Sequence, residues 1–398
     1  MPEGCQRFCR NRKPRPLAEP ETGWALWVCF RLAPDGFFYA KGRVTMKRMI
    51  ACLMVLTMLA GVLAGCGGKA QKENTESQSA AEATVSETTT DAGEKKAEEA
   101  AQAEENKSAE TEAVVEDEEE ADTGDASLDN PRNQDKVGDQ ELLVVSFGTS
   151  FNDNRRATIG AVEDALEKAF PEWSVRRAFT SQIIIDHVKS RDGEVIDNVT
   201  EALERAVANG VKELVVQPTH LMDGYEYNDL LDEVLRYADS FDKIKIGQPL
   251  LLTDEDFNAV ADAIVAATSQ YDDGETAIVF MGHGTEAESN GVYEKMQGVL
   301  DAKGMEHYFI GTVEAYPDLE QVLAAVKQGS YKRVVLRPLM VVSGDHANND
   351  MAGDDKDSWK SVFEAEGYQV ECVLEGLGSL EAIRQMYVAH AQDSINEL

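Results

Sequence analysis

Short apolar runs alternate with longer amphipathic runs from Leu142 to the end of the chain. The apolar runs predict strands at ELLVVSF, WSVRRAF, KELVVQP, KIKIGQP, TAIVFMG, HYFIGTV, KRVVLRP and YQVECVL. Between them, apolar residues recur at helical spacing, as in TIGAVEDALEKAF and DFNAVADAIVAATSQY. Strands that alternate with helices form parallel sheets with helices on both faces. The pattern therefore predicts an α/β fold.

This alternating pattern occurs twice. The segment KELVVQPTHLMDGYEYNDL matches KRVVLRPLMVVSGDHANND, which places Glu226 opposite His346. The repeat predicts two similar Rossmann-like lobes with parallel sheets flanked by helices, at residues 140–252 and 253–398. Ligands of open α/β sheets bind beyond the carboxyl ends of the strands, so we expect a site in a cleft between the lobes.

The turn after the first strand of each lobe also repeats. Aligning Gly148 with Gly282 places Thr149 opposite His283. We expect the glycines beside His283 to let a flat ligand approach closely. Neither turn has a complete GxGxxG or P-loop motif, so a phosphate site is not indicated.

The region between Cys66 and Phe147 contains no aromatic residue. Its composition buries too little apolar surface to offset the entropy lost on ordering, so we predict a disordered acidic tether at residues 66–139. A single charged helix in its Ala/Glu-rich part is the alternative. The chain has a formal net charge of -35. This charge argues against a nucleic-acid partner, because phosphates require a basic surface.

Residues 46–65 have the features of a secretory signal peptide, with a short basic segment followed by an apolar one. The sequence LAGC, ending at Cys66, resembles the lipobox of bacterial lipoproteins, in which the cysteine carries the lipid. We therefore expect an extracytoplasmic protein tethered to the membrane through Cys66, with an uncleaved anchor helix as the alternative. A signal peptide belongs at an amino terminus, so we interpret residues 1–45 as a mis-called upstream extension.

Three candidate metal ligands follow three different strands of the second lobe. His283 lies in VFMGHG, Glu314 in GTVEAYP and His346 in VVSGDHANNDM. The carboxyl ends of parallel strands meet at one edge of the sheet, so we expect these side chains to face the cleft. Two imidazoles and a carboxylate suit a divalent first-row metal with an open coordination position. Taken singly, each is more often an ordinary hydrogen-bonded loop residue.

The other histidines are weaker candidates. His220 follows VVQPT and is either a packed loop residue or a further residue of the cleft. We interpret His187, His307 and His390 as structural.

Six segments of the chain resemble the anaerobic sirohydrochlorin cobaltochelatases, members of the class II tetrapyrrole chelatases, which also include ferrochelatase. They are LLVVSFGTS, RAFTSQII, VFMGHG, GTVEAYP, PLMVVSGDHANNDMAGDDKDSWK and GLGSLEAIRQMYVAH. The resemblance extends from Leu142 to His390. It implies two Rossmann-like lobes with the tetrapyrrole in the cleft between them.

The resemblance also implies residue roles. His283, Glu314 and His346 match the metal ligands, His283 matches the proton acceptor, and Glu226 matches an assisting carboxylate. The macrocycle site would be lined by Phe147, Gly148, Thr149, Ser150, Arg177, Thr180 and Ser181. Arg177 is expected to bind substrate carboxylates, because a guanidinium matches their geometry.

The implied activity is the insertion of Co²⁺ into sirohydrochlorin or a close relative during corrinoid biosynthesis, with no cofactor beyond the substrate metal. Neutral histidine can bind the ion and accept a proton near neutral pH. The same ligands also accept Fe²⁺ and Ni²⁺. The family's usual role is cytoplasmic, so the predicted export favours an alternative, a non-catalytic lipoprotein that binds haem, another tetrapyrrole or metal ions. The sequence leaves the oligomeric state open, a homo-oligomer included.

Overall fold

The computed structural model describes residues 123–398. The predicted signal peptide, Cys66 and most of the predicted tether lie outside these residues. The strands are β1 Gln140–Ser146, β2 Ser174–Phe179, β3 Glu213–Pro218, β4 Lys243–Ile246, β5 Thr276–Gly282, β6 Tyr308–Thr312, β7 Arg333–Pro338 and β8 Gln369–Cys372. The α-helices are α1 Asn152–Arg155, α2 Ala161–Ala169, α3 Gln182–Asp192, α4 Val199–Asn209, α5 Tyr225–Leu235, α6 Asp254–Thr268, α7 Gly291–Ala302, α8 Leu319–Val326, α9 Trp359–Ala365 and α10 Glu381–Asn396.

The strands form two parallel four-stranded sheets, ordered β2-β1-β3-β4 and β6-β5-β7-β8. This arrangement confirms the predicted α/β fold with two similar lobes. Local signals set the helix ends, as α4 illustrates. The side chain of Asn198 accepts a hydrogen bond from the Glu201 amide while Glu201 bonds back to Asn198, and Gly210 ends the helix with a φ of 78°. In the part of the chain described, no helix is long and apolar enough to span a membrane.

The two faces of each sheet pack into different cores. Leu142 and Val144 on β1 belong to the same buried cluster as Ile278 and Phe280 on β5. The intervening residues, such as Leu143, pack into a separate outer cluster. This division follows from the alternation of side chains along a strand. Both lobes therefore share one hydrophobic core on their inner faces, which we call the shared core.

The last helix returns to the first lobe. Tyr387 on α10 donates a hydrogen bond from its hydroxyl to the carbonyl of Thr219, 2.8 Å away. Near the end of the helix, Glu397 forms an ion pair with Lys245 on β4. The shared core and α10 thus connect the two lobes.

The strand register corrects one alignment made from the sequence. The matched prolines that end β3 and β7 pair with Val145 and Met281, respectively. Counting two residues onward from each partner makes Phe147, and not Thr149, the counterpart of His283. The sequence alignment was therefore wrong by two residues.

Backbone conformation supports this register. Gly148 and Gly284, the residues that follow Phe147 and His283, have φ angles of +111° and +91°. Only glycine adopts such angles readily. The sequence alignment instead matched Gly148 with the glycine before His283, because a single glycine in one turn faces two in the other.

The predicted acidic tether does not extend to Asp139. The side chain of Asp129 is buried, and its Oδ2 accepts hydrogen bonds from Arg155 Nε at 2.7 Å and Arg177 Nη1 at 2.6 Å. Arg176 donates to the carbonyl of Arg132 at 2.9 Å. The segment from residue 123 to residue 139 is therefore packed on the first lobe. The prediction from composition was wrong for this segment because its acidic residues have buried arginine partners elsewhere in the chain.

Glu141 on β1 predicts a pH-dependent stability. It is fully buried, and neither carboxyl oxygen has a hydrogen-bond partner among the described residues. Burial raises its pKa to about 7, although the positive charge of Arg176 acts to lower it. A raised pKa stabilises the fold through the protonated form, and this contribution is lost as the pH rises through the folded-state pKa. We expect Glu141→Gln to raise the free energy of unfolding at about pH 8 and to change it little at about pH 5. Urea denaturation at both pH values would measure this, and an equal effect at both would contradict it.

Candidate metal centre

The three candidate ligands of the second lobe lie together in the structure. One ligand atom from each of His283, Glu314 and His346 lies within 4.8 Å of the other two. The two imidazole rings are 4.5 Å apart between centroids and nearly perpendicular, at 86°. His283 and Glu314 are exposed and His346 is half-buried. The group is therefore open to solvent on one side and anchored on the other.

The β5–β6 pairing brings His283 and Glu314 together. The backbone amide of Glu314 donates to the carbonyl of His283 at 2.9 Å, which continues the parallel pairing beyond the strand ends. The Nδ1 atom of His283 lies 2.9 Å from the Gly284 carbonyl and 3.5 Å from Oε2 of Glu314. A proton on Nδ1 shared with these oxygens leaves Nε2 with the lone pair that a metal requires.

The glycines around His283 have a packing role. A Cβ atom on Gly282 would lie 2.1 Å from the ring of Tyr293, and one on Gly284 would lie 2.8 Å from the Ala315 amide nitrogen. Neither position can hold a side chain without displacing these neighbours. The glycines thus allow the His283 turn to pack against α7 and against the Glu314 loop, whereas we had expected them to provide access for a ligand.

His346 is oriented by a carboxylate. Its Nδ1 lies 2.7 Å from Oδ2 of Asp350, four residues later across a π-helical turn. Burial disfavours the charged ring, but Asp350, together with Asp345 and Glu314, raises the pKa of His346 above its ordinary value. The hydrogen bond to Asp350 holds a proton on Nδ1 and directs Nε2 away from that carboxylate. Such carboxylate–histidine pairs commonly orient metal ligands.

We expect Asp350→Ala to weaken Co²⁺ binding by the protein about 10- to 100-fold, because His346 would lose the group that fixes its ring. Titration with Co²⁺ followed by visible absorbance would measure the affinity. Asp354→Ala is a suitable control, since Asp354 is 99% exposed and pairs only with Lys360 among its ionic contacts in the described chain. Equal affinities for wild type and Asp350→Ala would show that the pair does not orient the ligand.

Asn290 connects the two loops that carry His283 and Glu314. Its Oδ1 accepts a hydrogen bond from the Thr285 amide at 3.0 Å, and its Nδ2 donates to the Tyr316 carbonyl at 2.7 Å. These contacts lie two residues after each ligand. The sequence offered no signal for this role, whereas the four-residue spacing of His346 and Asp350 could have indicated their contact.

The loops of the two lobes also touch each other. A Cβ on Gly344, in the loop that holds His346, would lie 3.3 Å from Oγ1 of Thr149. A Cβ on Gly224, in the matching loop of the first lobe, would lie 3.4 Å from Oγ of Ser289. The candidate metal centre therefore lies where the carboxyl edges of the two sheets meet.

The residues predicted to line a macrocycle site take different positions. Phe147 is 46% exposed at the end of β1. Thr149 and Ser150 are buried, with Thr149 at the contact between the lobes. Ser181 caps α3 by accepting a hydrogen bond from the Ile184 amide. The Thr180 hydroxyl is buried and has no hydrogen-bond partner within residues 123–398. Of this group, only Phe147 has an exposed side chain.

Arg177 requires a correction. It is fully buried, and its guanidinium group donates to Glu163 through Nε and Nη2 and to Asp129 through Nη1 and Nη2. These two carboxylates already use the guanidinium donors that would otherwise bind a substrate carboxylate. The prediction that Arg177 binds substrate is therefore wrong, because its partners are supplied by the protein itself.

Glu226 and the remaining histidines lie outside the group of three ligands. Glu226 is exposed as the second residue of α5 and is the repeat counterpart of His346. His220 is 7% exposed, neither ring nitrogen has a hydrogen-bond partner in the described chain, and burial lowers its pKa to about 4. His307 and His390 lie 3.3 Å from Asp272 and 3.0 Å from Asp256, respectively. These contacts fit the structural roles expected for His307 and His390.

Comparison with known proteins adds an independent line of information. Residues 140–396 match the family described as "Cobalt chelatase (CbiK)". The chain is 37% identical to "Sirohydrochlorin cobaltochelatase" of Salmonella typhimurium over 255 residues, which are 64% of this chain and 96% of that protein. It is 32% identical to "Sirohydrochlorin cobaltochelatase CbiKC" of Nitratidesulfovibrio vulgaris over 259 residues, 65% of this chain and 91% of that protein. A solved structure, "SirB from Bacillus subtilis with Fe3+", aligns less closely, with a TM-score of 0.47 and 13% identity over 65% of this chain and 97% of that one.

Proposed function

We propose that this chain, which belongs to the cobalt chelatase family, inserts Co²⁺ into sirohydrochlorin at the centre formed by His283, Glu314 and His346. The observation that carries the proposal is the convergence of these three ligand atoms within 4.8 Å at the meeting point of the two lobes. Family membership supports the reaction class, a metal chelatase, and the relatives support the substrate.

The three side chains suit temporary binding of the metal substrate. Two imidazole nitrogens and one carboxylate supply three ligands and leave positions for water and then for the pyrrole nitrogens. A protein that kept its metal would surround it more completely. Since Fe²⁺ and Ni²⁺ accept the same ligands, we propose Co²⁺ as the metal on the strength of the family.

The proton balance of the reaction assigns roles to the same region. Insertion replaces two pyrrole N–H protons by one divalent ion, so two protons must leave the macrocycle. We assign the first acceptance to His283, whose Nε2 lone pair becomes free once the ion has passed to the pyrrole nitrogens, while Nδ1 stays hydrogen-bonded to the Gly284 carbonyl. Glu314, 3.5 Å from His283, can take that proton onward to solvent because it is exposed. Glu226 is proposed as a second acceptor from the first lobe.

An absorbance time course tests this function. Protein lacking residues 1–66 would be mixed with sirohydrochlorin and Co²⁺, and metallation would be compared with the uncatalysed rate. We expect faster metallation with protein. A shift of the spectrum on binding, with no rate above the uncatalysed one, would overturn the enzymatic proposal and favour the alternative of a tetrapyrrole-binding lipoprotein.

We further propose that lipidated Cys66 tethers the protein to the outer side of the cell membrane, on the basis of the signal-like residues 46–65 and the LAGC sequence. Replacing Cys66 with alanine is expected to move the protein from the membrane fraction to the soluble fraction. Immunoblots of fractionated cells would measure this. Continued membrane association of the Cys66→Ala variant would indicate an uncleaved anchor instead.

A further inference from the structure

Three aromatic side chains are exposed in the part of the chain that the structure describes. They are Phe147 at 46%, Tyr225 at 66% and Tyr316 at 70%. All three follow strands at the carboxyl edges of the sheets, where the candidate metal centre lies. Aromatic rings exposed together near a cleft commonly mark a binding surface, because water solvates them poorly.

The contacts around residues 288–290 place the two tyrosines beside the metal ligands. Tyr316 follows Glu314 by two residues, and its carbonyl is held by the side chain of Asn290 at 2.7 Å. On the other side of the same turn, Oγ of Ser289 would lie 3.4 Å from a Cβ atom on Gly224, the residue before Tyr225. Tyr225 comes from the first lobe and Tyr316 from the second, so the turn lies between one tyrosine loop of each lobe.

We propose that Tyr225 and Tyr316 form a tyrosine rim that binds the tetrapyrrole beside the metal centre and so determines which macrocycles the enzyme accepts. This inference rests on the proposed function. A conjugated macrocycle presents a flat π surface on which phenol rings can stack. Its carboxylate side chains can accept hydrogen bonds from the phenol hydroxyls. The tyrosine rim supplies neutral donors, which suits a substrate with many carboxylates in a chain that is itself acidic.

The rim also accounts for how substrate carboxylates are bound without Arg177. That guanidinium group is already ion-paired with Asp129 and Glu163 inside the first lobe. Tyr225 and Tyr316, in contrast, have exposed side chains at the required edge. The tyrosine rim is therefore the stronger candidate for contact with the substrate.

The test separates macrocycle binding from metal binding. Metal-free sirohydrochlorin would be titrated against wild type, Tyr225→Ala, Tyr316→Ala and the two phenylalanine variants, with its absorbance as the readout. Co²⁺ affinity without macrocycle, kcat and KM would be measured on the same proteins. Val207→Ala is the matched control, since Val207 is 41% exposed near the end of α4, before β3 begins and thus at the opposite edge of the sheet.

We expect each alanine variant to raise the macrocycle dissociation constant and KM about fivefold, with Co²⁺ affinity unchanged. Phenylalanine variants should retain the part of the affinity that comes from stacking and lose the part from the hydroxyl. Unchanged macrocycle binding in both alanine variants would overturn the proposal, as would a matching loss of Co²⁺ affinity, which would indicate a role in holding the Glu314 loop. If wild type binds the macrocycle but does not metallate it, the proposed function fails while the dissociation constants still decide the role of the rim.

Discussion

Replacing both His283 and His346 with alanine is expected to reduce the rate of cobalt insertion by about 10²- to 10⁴-fold, the range typical for loss of a positioned proton acceptor. The variant loses two of the three ligand atoms that lie within 4.8 Å of one another, and with them the acceptor beside Glu314. Glu314 alone cannot hold a divalent ion at the required place. The absorbance time course with sirohydrochlorin and Co²⁺ would measure the rate.

A folded protein is expected from this double variant, because His283 is exposed and His346 is half-buried, so neither fills the core. Circular dichroism and thermal unfolding would verify this. The control is His307→Gln, which changes a histidine just before β6 begins, at the opposite edge of the sheet from the candidate ligands. If the double variant metallates the macrocycle at the wild-type rate, the assignment of the metal centre is wrong.

The second large effect concerns stability. Asp129→Ala is expected to lower the free energy of unfolding by about 3–5 kcal/mol, because it removes one partner from a buried group of charges. The side chain of Asp129 is buried against Arg155 and Arg177, whose side chains have no exposed area. Without the carboxylate, part of their positive charge stays in the interior uncompensated. Urea denaturation of protein lacking residues 1–66 would measure the loss.

Asp164→Ala provides the matched control for this prediction. Asp164 likewise forms an ion pair that joins residues 123–139 to the first lobe. Its partner is Arg132, but the side chain of Asp164 is 75% exposed. Exposed pairs contribute about 1 kcal/mol or less, since water and salt screen them. Similar losses in both variants would show that burial of Asp129 does not determine its contribution.

The contribution of Asp129 to stability depends on pH in a defined direction. Burial alone would raise the pKa of Asp129, but its contacts with Arg177 and Arg155 lower it below the ordinary value. A lowered pKa contributes stability above the unfolded-state pKa, and this contribution is lost as the pH falls through the folded-state pKa. Acid should therefore destabilise wild type more than Asp129→Ala.

Much of the fold could be predicted because its signals are local. Short continuous apolar runs such as ELLVVSF, and the helical period between them, identify strands and helices without knowledge of their partners. The candidate metal ligands could also be predicted from the sequence, since topology alone requires that residues after parallel strands meet at one edge. His283, Glu314 and His346 needed only that rule and their chemistry.

What the sequence could not supply is the choice of partner between distant segments. Arg177 offers the same guanidinium to a substrate carboxylate as to Asp129, and only packing shows that Asp129 occupies it. In the same way, strand register, and not motif similarity, makes Phe147 the counterpart of His283. Periodicity and residue chemistry thus determined the α/β lobes and the types of candidate metal ligand, because both are properties of short segments. Tertiary structure decided which charged side chains pair with each other inside the protein and which side chains stay exposed where the two lobes meet. Burial and pairing depend on every segment that packs nearby.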